Sequence, residues 1–182
     1  MLEDIRNRLR SRRPARPAVA PPADSGVGPI RYRPLLVAQL PVDGRRLREA
    51  MRTLLAALGR RDEEALIAGL GAFAEAFRAV ALARSVQFHP YLAWALQQAP
   101  TTRTLFESVR TDAQRCLTGI EAVLATHLGA PWTRAQRRRL APDLIHAAQL
   151  LTRWLRIDED ILLPLYLPPG QYRPAPDHTA AH

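Results

Sequence analysis

The chain contains four long stretches in which apolar side chains recur every three or four residues, the spacing that lines one face of an α-helix. The first holds Leu47, Met51, Leu54 and Leu58, with Asp43 placed as its N-cap and Gly59 at its end. The second opens at Asp62, followed by Glu63 and Glu64 where the helix dipole favours negative charge. Its stripe is Leu66, Leu70, Phe73, Phe77 and Val80, and the same face continues through Arg84 to Phe88. Pro90 bends or ends this helix, and "YLAWALQQ" adds a turn or two. Thr101 or Thr102 caps the third, whose stripe is Leu105, Val109, Cys116, Ile120, Val123 and His127, with Gly129 as the C-terminal cap. After the short segment "TRAQRRRL", the fourth begins near Pro142 and runs to Tyr166, where Pro168 and Pro169 stop it. Alternating β-branched runs and hairpin dipeptides are nearly absent. The pattern predicts an all-α fold, an up-down-up-down four-helix bundle over residues 42–167.

The flanks read differently. Residues 1–41 include "SRRPARPAVAPPADSGVGP", too rich in Pro, Arg and small residues to bury much surface, and are expected to form a disordered arm. The "MLEDIRNRLR" before it could form a helical turn or two on a partner. Residues 168–182 are expected to be a flexible tail.

One polar residue breaks the fourth stripe. Asp158 lies four residues after Trp154, on the face carrying Leu151, Leu155, Leu162 and Leu165. A carboxylate buried without a partner is costly, so it needs a cation, a hydrogen-bond network or a metal. Arg84 breaks the second stripe in a corresponding way. Either the two share a core layer and pair, with the planar guanidinium facing the carboxylate, or Arg84 snorkels to the bundle end and Asp158 is half exposed. The sequence leaves both readings open.

Composition narrows the classes of function. The 182 residues carry a formal charge of +9, and every basic residue is Arg. The lack of Lys beside abundant Ala, Arg, Leu and Pro points to a GC-rich bacterial coding bias, which weakens the charge as a sign of nucleic-acid binding. Arg6 to Arg16 and the Arg134, Arg137, Arg138, Arg139 group form two basic clusters. Each is a solvated face or a contact for an acidic partner or a nucleic-acid backbone, and neither has interleaved aromatics for base stacking. The single cysteine, Cys116, excludes an internal disulfide and reads as a small buried hydrophobe. His89, before Pro90, reads as a helix-end residue in water. With no run of about 18 apolar residues, no membrane span is expected, and the basic N-terminus lacks the apolar core of a secretory leader. A cytoplasmic location is the default. Trp94, Trp132 and Tyr172 are candidates for an exposed contact surface. No phosphate loop, nucleophile elbow or zinc spacing is present.

The fourth helix, "LLTRWLRIDEDILLPLYL", resembles the last helix of hemerythrin-like (HHE cation-binding) domains, in which a His is followed four residues later by a Glu, then an apolar pair and a Pro. Trp154 takes the His place, Asp158 the Glu place, and Leu162, Leu163 and Pro164 the closing element. "ARSVQFHPYLAWAL" matches the same pattern with Arg84 and Phe88, and "LPVDGRRLREAMRTLLAAL" resembles the opening helix with Asp43-Gly44 at its Asp-His pair. The resemblance spans roughly residues 38–167 and implies a four-helix bundle. It also implies a core iron pair, for which Gly44, Arg84, Phe88 and Trp154 supply no ligand. The expectation is therefore a metal-free, non-enzymatic bundle with a degenerate metal site and no cofactor, regulating or scaffolding through another protein. The alternative is an iron- or oxygen-binding or sensing protein of the same family. A shorter resemblance, needing one inserted residue, joins Arg153, Trp154, Glu159 and Asp160 to the regulator-of-sigma-D anti-sigma family, and implies a sigma factor or other transcription component as partner.

Overall fold

In the computed structural model, which describes residues 30–97, 100–129 and 131–172, the first helix starts earlier than its capping residue suggested. α1 spans Pro34–Arg60. Proline in the first turn sacrifices no hydrogen bond, and half-buried Leu36 and buried Leu40 extend the Leu47–Met51–Leu54 stripe upstream. Pro41 lies inside the helix, and Asp43 accepts a hydrogen bond from Gln39 Nε2 at 2.7 Å instead of capping. Residues 34–41 thus belong to the bundle and not to the arm; residues 1–29, with the Arg6–Arg16 cluster, lie outside the described residues.

Nor does α1 stop at Gly59. Arg61 adopts a left-handed backbone, φ 56°. Its N–H bonds the Leu58 carbonyl, and the Asp62 N–H bonds the Ala57 carbonyl, both at 3.1 Å. That paired closure is the Schellman arrangement, made here with arginine in place of glycine.

Asp62 caps α2 (Glu63–Ala83) as expected, its carboxylate accepting the Ala65 N–H at 3.0 Å. Leu66, Leu70, Phe73 and Phe77 are all buried. The helix widens into a π-turn over Arg84–Phe88, where the His89 N–H reaches the Arg84 carbonyl, and continues as α3, His89–Ala95. The cause is Pro90, which has no N–H and whose ring presses on the carbonyl four residues back; a wider turn relieves both.

α4 spans Pro100–His127, so Thr101 and Thr102 lie within it and do not cap it. Gly129 has φ +98° and terminates the segment as expected. α5 spans Arg134–Arg156. It begins well before Pro142 because Thr133 and Gln136 form a reciprocal capping box. A second π-turn, Ile157–Leu162, closes with the Leu163 N–H on the Asp158 carbonyl and again precedes a proline, Pro164.

The described residues form an all-α structure, with four long helices and no strand among them. α1 packs on α2 and α5, and α4 packs on α5 and α2, enclosing one core. Leu47, Leu54, Leu70, Phe77, Ile120, Leu144, Leu151 and Leu155 are each at most 1% exposed. Each such side chain contributes roughly 1.5–3 kcal/mol of transfer free energy.

Tyrosines lock the end where both flanks meet. Tyr166 lies 4.7 Å from Tyr91 and 5.0 Å from Tyr32, ring centre to ring centre. The Arg33 N–H donates to the Tyr166 hydroxyl at 2.9 Å. The Tyr172 hydroxyl accepts the Leu167 N–H at 3.0 Å and donates to the Leu165 carbonyl at 2.6 Å. The tail is therefore held at least to Tyr172; residues 173–182 lie outside the described residues. Tyr172 is half-buried, and Trp132 is buried with its indole N–H on the His127 carbonyl at 2.8 Å. Of the three aromatics expected at the surface, Trp94 alone is exposed. By length and composition alone, one described segment resembles a span. The continuous helix Glu63–Ala95 is long and apolar enough to cross a membrane, with a mean hydropathy of 1.6 over its best window.

Candidate functional site

The second and fourth stripes bring their two polar interruptions together. Arg84 Nε stands 3.1 Å from Asp158 Oδ2, with side chains 1% and 0% exposed. Of the two readings left open, pairing is the one observed. Each residue sits in a π-turn, and each lies six positions before the proline that causes it. The widened turns carry both side chains into one core layer.

Three further groups complete the cluster. Arg84 Nη2 donates to the Leu40 carbonyl at 3.2 Å, tying α2 to the upstream part of α1. The guanidinium carbon lies 4.6 Å from the centre of the Trp154 ring, a cation–π geometry, and Trp154 meets Phe77 edge-on at 5.5 Å. His89 is buried, with Nε2 3.5 Å from Asp158 Oδ1. This corrects its expected place in water: the π-turn rotates the residue after Phe88 inward. The equal spacing of Arg84 and Asp158 from Pro90 and Pro164 was the available signal, and an α-helical projection conceals its effect on His89.

The layer is charged but incompletely hydrogen-bonded. Arg84 Nε and Nη1, both Asp158 oxygens, His89 Nε2 and the Trp154 N–H are buried without a hydrogen-bond partner. The pair is therefore held by charge more than by aligned donors. Burial pushes the Arg84 guanidinium below its ordinary value, with the Asp158 carboxylate opposing that shift.

Next to this layer, Gly44 is buried on α1, and a Cβ there would collide with Glu159 Oε1. Glu159 is pinned by Arg48 at 2.7 Å. The space beside Gly44 is thus filled from across the bundle by a carboxylate side chain. Asp160 is exposed, 3.9 Å from Arg156.

Among the described residues, no three or more His, Cys, Asp or Glu side chains gather where they could hold a metal. A second buried histidine, His127, meets Asp143 at 2.8 Å near the turn between α4 and α5; His146 is exposed. Cys116 is buried, and burial raises its thiol above the ordinary value, opposite to what a nucleophile needs. Arg134, Arg137, Arg138 and Arg139 are all exposed on the first turns of α5. Arg137 pairs with Glu63 at 2.9 Å and Arg139 lies 3.7 Å from Asp143, so part of this basic face is satisfied within the bundle.

A groove of about 480 Å³ lies elsewhere, between α1 and α5. Leu55, Ile145, Ala148, Ile157 and Ile161 form its apolar lining, with Arg153, Arg156 and Asp160 beside them. Comparison with protein-family models, curated proteins and solved structures gave no match.

Proposed function

We propose that the chain is a hemerythrin-like bundle of up-down-up-down topology in which an internal ion pair has taken over the metal layer. It works in regulation or scaffolding by binding another protein, and not by catalysis. The observation that carries this reading is the Arg84–Asp158 pair. A guanidinium 3.1 Å from the one carboxylate matching the family's ligand pattern supplies the positive charge that a metal would otherwise bring. Trp154, in a ligand position, is fully buried against the same guanidinium. With the pair 1% and 0% exposed, a substrate has no approach to it.

Recognition then falls to the surface. The α1–α5 groove has an apolar lining edged by Arg153, Arg156 and Asp160, which suits the apolar face of an amphipathic helix with charged flanks. Two measurements on the full chain test the proposal. Elemental analysis after purification without a metal column, repeated after incubation with ferrous iron, should find no stoichiometric metal. Iron near the two per chain of a di-iron bundle would overturn the metal-free reading. A protein partner recovered with the native chain should be lost with Ile145→Glu/Ala148→Glu, and equal recovery with that variant would overturn the groove as the binding surface.

A further inference from the structure

The outer face of α2 is apolar and lies open. Ala68, Ala72, Ala79 and Leu82 are exposed on it, and Val86 extends the stripe into the π-turn. Helical spacing keeps these positions on one side of a single helix, opposite the buried stripe of Leu66, Leu70, Phe73 and Phe77. Leu82 is 63% exposed and Val86 62%. The double stripe explains why the apolar helix Glu63–Ala95 buries only 28% of its most apolar window. None of these residues lines the α1–α5 groove, so the face is separate from the one assigned above to a protein partner.

The stripe is graded in size along the helix. Its first half is small, with Ala68 and Ala72 exposed and Gly71 beside them, where a Cβ would meet nothing within 4 Å. Its second half carries Leu82 and Val86. A two-fold axis turns one half onto the other, because in an isologous contact residue i meets j and j meets i. Laid antiparallel with the axis at the level of Phe77, two copies of α2 seat Leu82 on Ala72 and Val86 on Ala68, twice over. Ala76 and Ala79, exposed near the axis, let the helices approach at the short end of the usual ~8–10 Å range.

Charge fits the same register. Glu75 is exposed and has no ion-pair partner among the described residues. Arg78 is engaged with Glu121 through Nε and Nη2, at 3.1 and 3.0 Å, which leaves its Nη1 for a second carboxylate. The antiparallel register that seats Leu82 on Ala72 sets Glu75 of each copy beside Arg78 of the other, on the same edge of the contact. A lipid surface offers no match to the small and large halves, and it would set Glu75 against anionic headgroups.

We propose that the outer face of α2 is the contact of a homodimer, two copies packed antiparallel through the Ala68–Val86 stripe with Glu75–Arg78 pairs along one edge. A single helix face about 30 Å long is small for a permanent interface, so association in the micromolar range is expected. Sedimentation equilibrium of the full chain from about 1 to 300 μM should show a monomer–dimer equilibrium. Leu82→Asp/Val86→Asp, at exposed positions, should keep the helical circular dichroism and abolish the dimer. Glu75→Arg, which sets Arg against Arg twice across the axis, should weaken it by at least about tenfold. In a mixture of Ala72→Cys and Leu82→Cys chains, oxidation should link the two variants to each other and neither to itself. A monomer throughout the concentration range would overturn the proposal. So would a dimer indifferent to the Leu82/Val86 variant or to Glu75→Arg, and so would self-linking of Leu82→Cys, which requires a different contact. A monomer that instead cosediments with phosphatidylcholine–phosphatidylglycerol vesicles, and ceases to in the Leu82/Val86 variant, would assign the face to lipid and overturn it equally.

Discussion

Arg84 and Asp158, 74 positions apart in the chain, meet at 3.1 Å with essentially no exposure, each placed by a π-turn six residues ahead of a proline. The pair joins the second and last long helices at the level where the Leu40 carbonyl of α1 also bonds Arg84. Its energetics are asymmetric, because losing one charge leaves the other buried, while losing both removes the desolvation cost as well.

Arg84→Met alone, or Asp158→Leu alone, should therefore lower unfolding free energy in urea by about 3–5 kcal/mol. The double variant Arg84→Met/Asp158→Leu should recover most of that loss. A double variant as unstable as the sum of the singles would show that the two side chains do not act as a pair.

Gly44 and Glu159 form a second coupled site. Gly44→Ala should destabilise the fold by about 1–3 kcal/mol, because Glu159 is pinned by Arg48 and cannot yield freely to the new Cβ. In a Glu159→Ala background the same substitution should cost much less. Equal costs in both backgrounds, measured by thermal or urea unfolding, would place the strain elsewhere.

His127 is buried and bonded to Asp143 at 2.8 Å, while its Nδ1 has no hydrogen-bond partner. Asp143→Ala removes the one hydrogen bond of that ring and should cost about 1–2 kcal/mol. The nearby Trp132 indole donates to the His127 carbonyl, so fluorescence from Trp132 should become more solvent-exposed at temperatures below the main transition.

The tyrosine cluster predicts alkaline lability. Burial raises Tyr32, Tyr91, Tyr166 and Tyr172, the last from 10.0 to about 12. For an acid raised in the folded state, the stabilisation is complete below the unfolded value near 10 and is lost as pH climbs toward the folded value. Stability should be flat up to about pH 10 and fall steeply by about pH 12, with phenolate absorbance appearing together with loss of helical signal. Phenolate titration with ordinary values in a still-folded protein would contradict the burial of these rings.

Much of this architecture is readable along the chain, for a definite reason. Helical periodicity depends on neighbours three and four positions away, so Leu66–Leu70–Phe73–Phe77 and Val109–Cys116–Ile120 declare their buried faces locally. The Asp62 cap and the Gly129 terminus are equally local. Helix ends next to proline were less legible. Pro41 and Pro142 resemble boundaries, but in the fold they lie inside helices that start at Pro34 and Arg134. Packing against neighbouring helices offsets the one backbone bond each proline removes. What only the tertiary structure decided is the company of each polar residue. Arg84 and Asp158 were conspicuous singly, but whether they paired depended on two π-turns and a bundle that brings distant turns to one level. His89, Trp132 and Tyr172 turned inward, and Glu159 came to fill the space beside Gly44, for the same reason. Burial is set by what another helix or turn places over a side chain, and that information is not carried by the side chain's own neighbours in sequence.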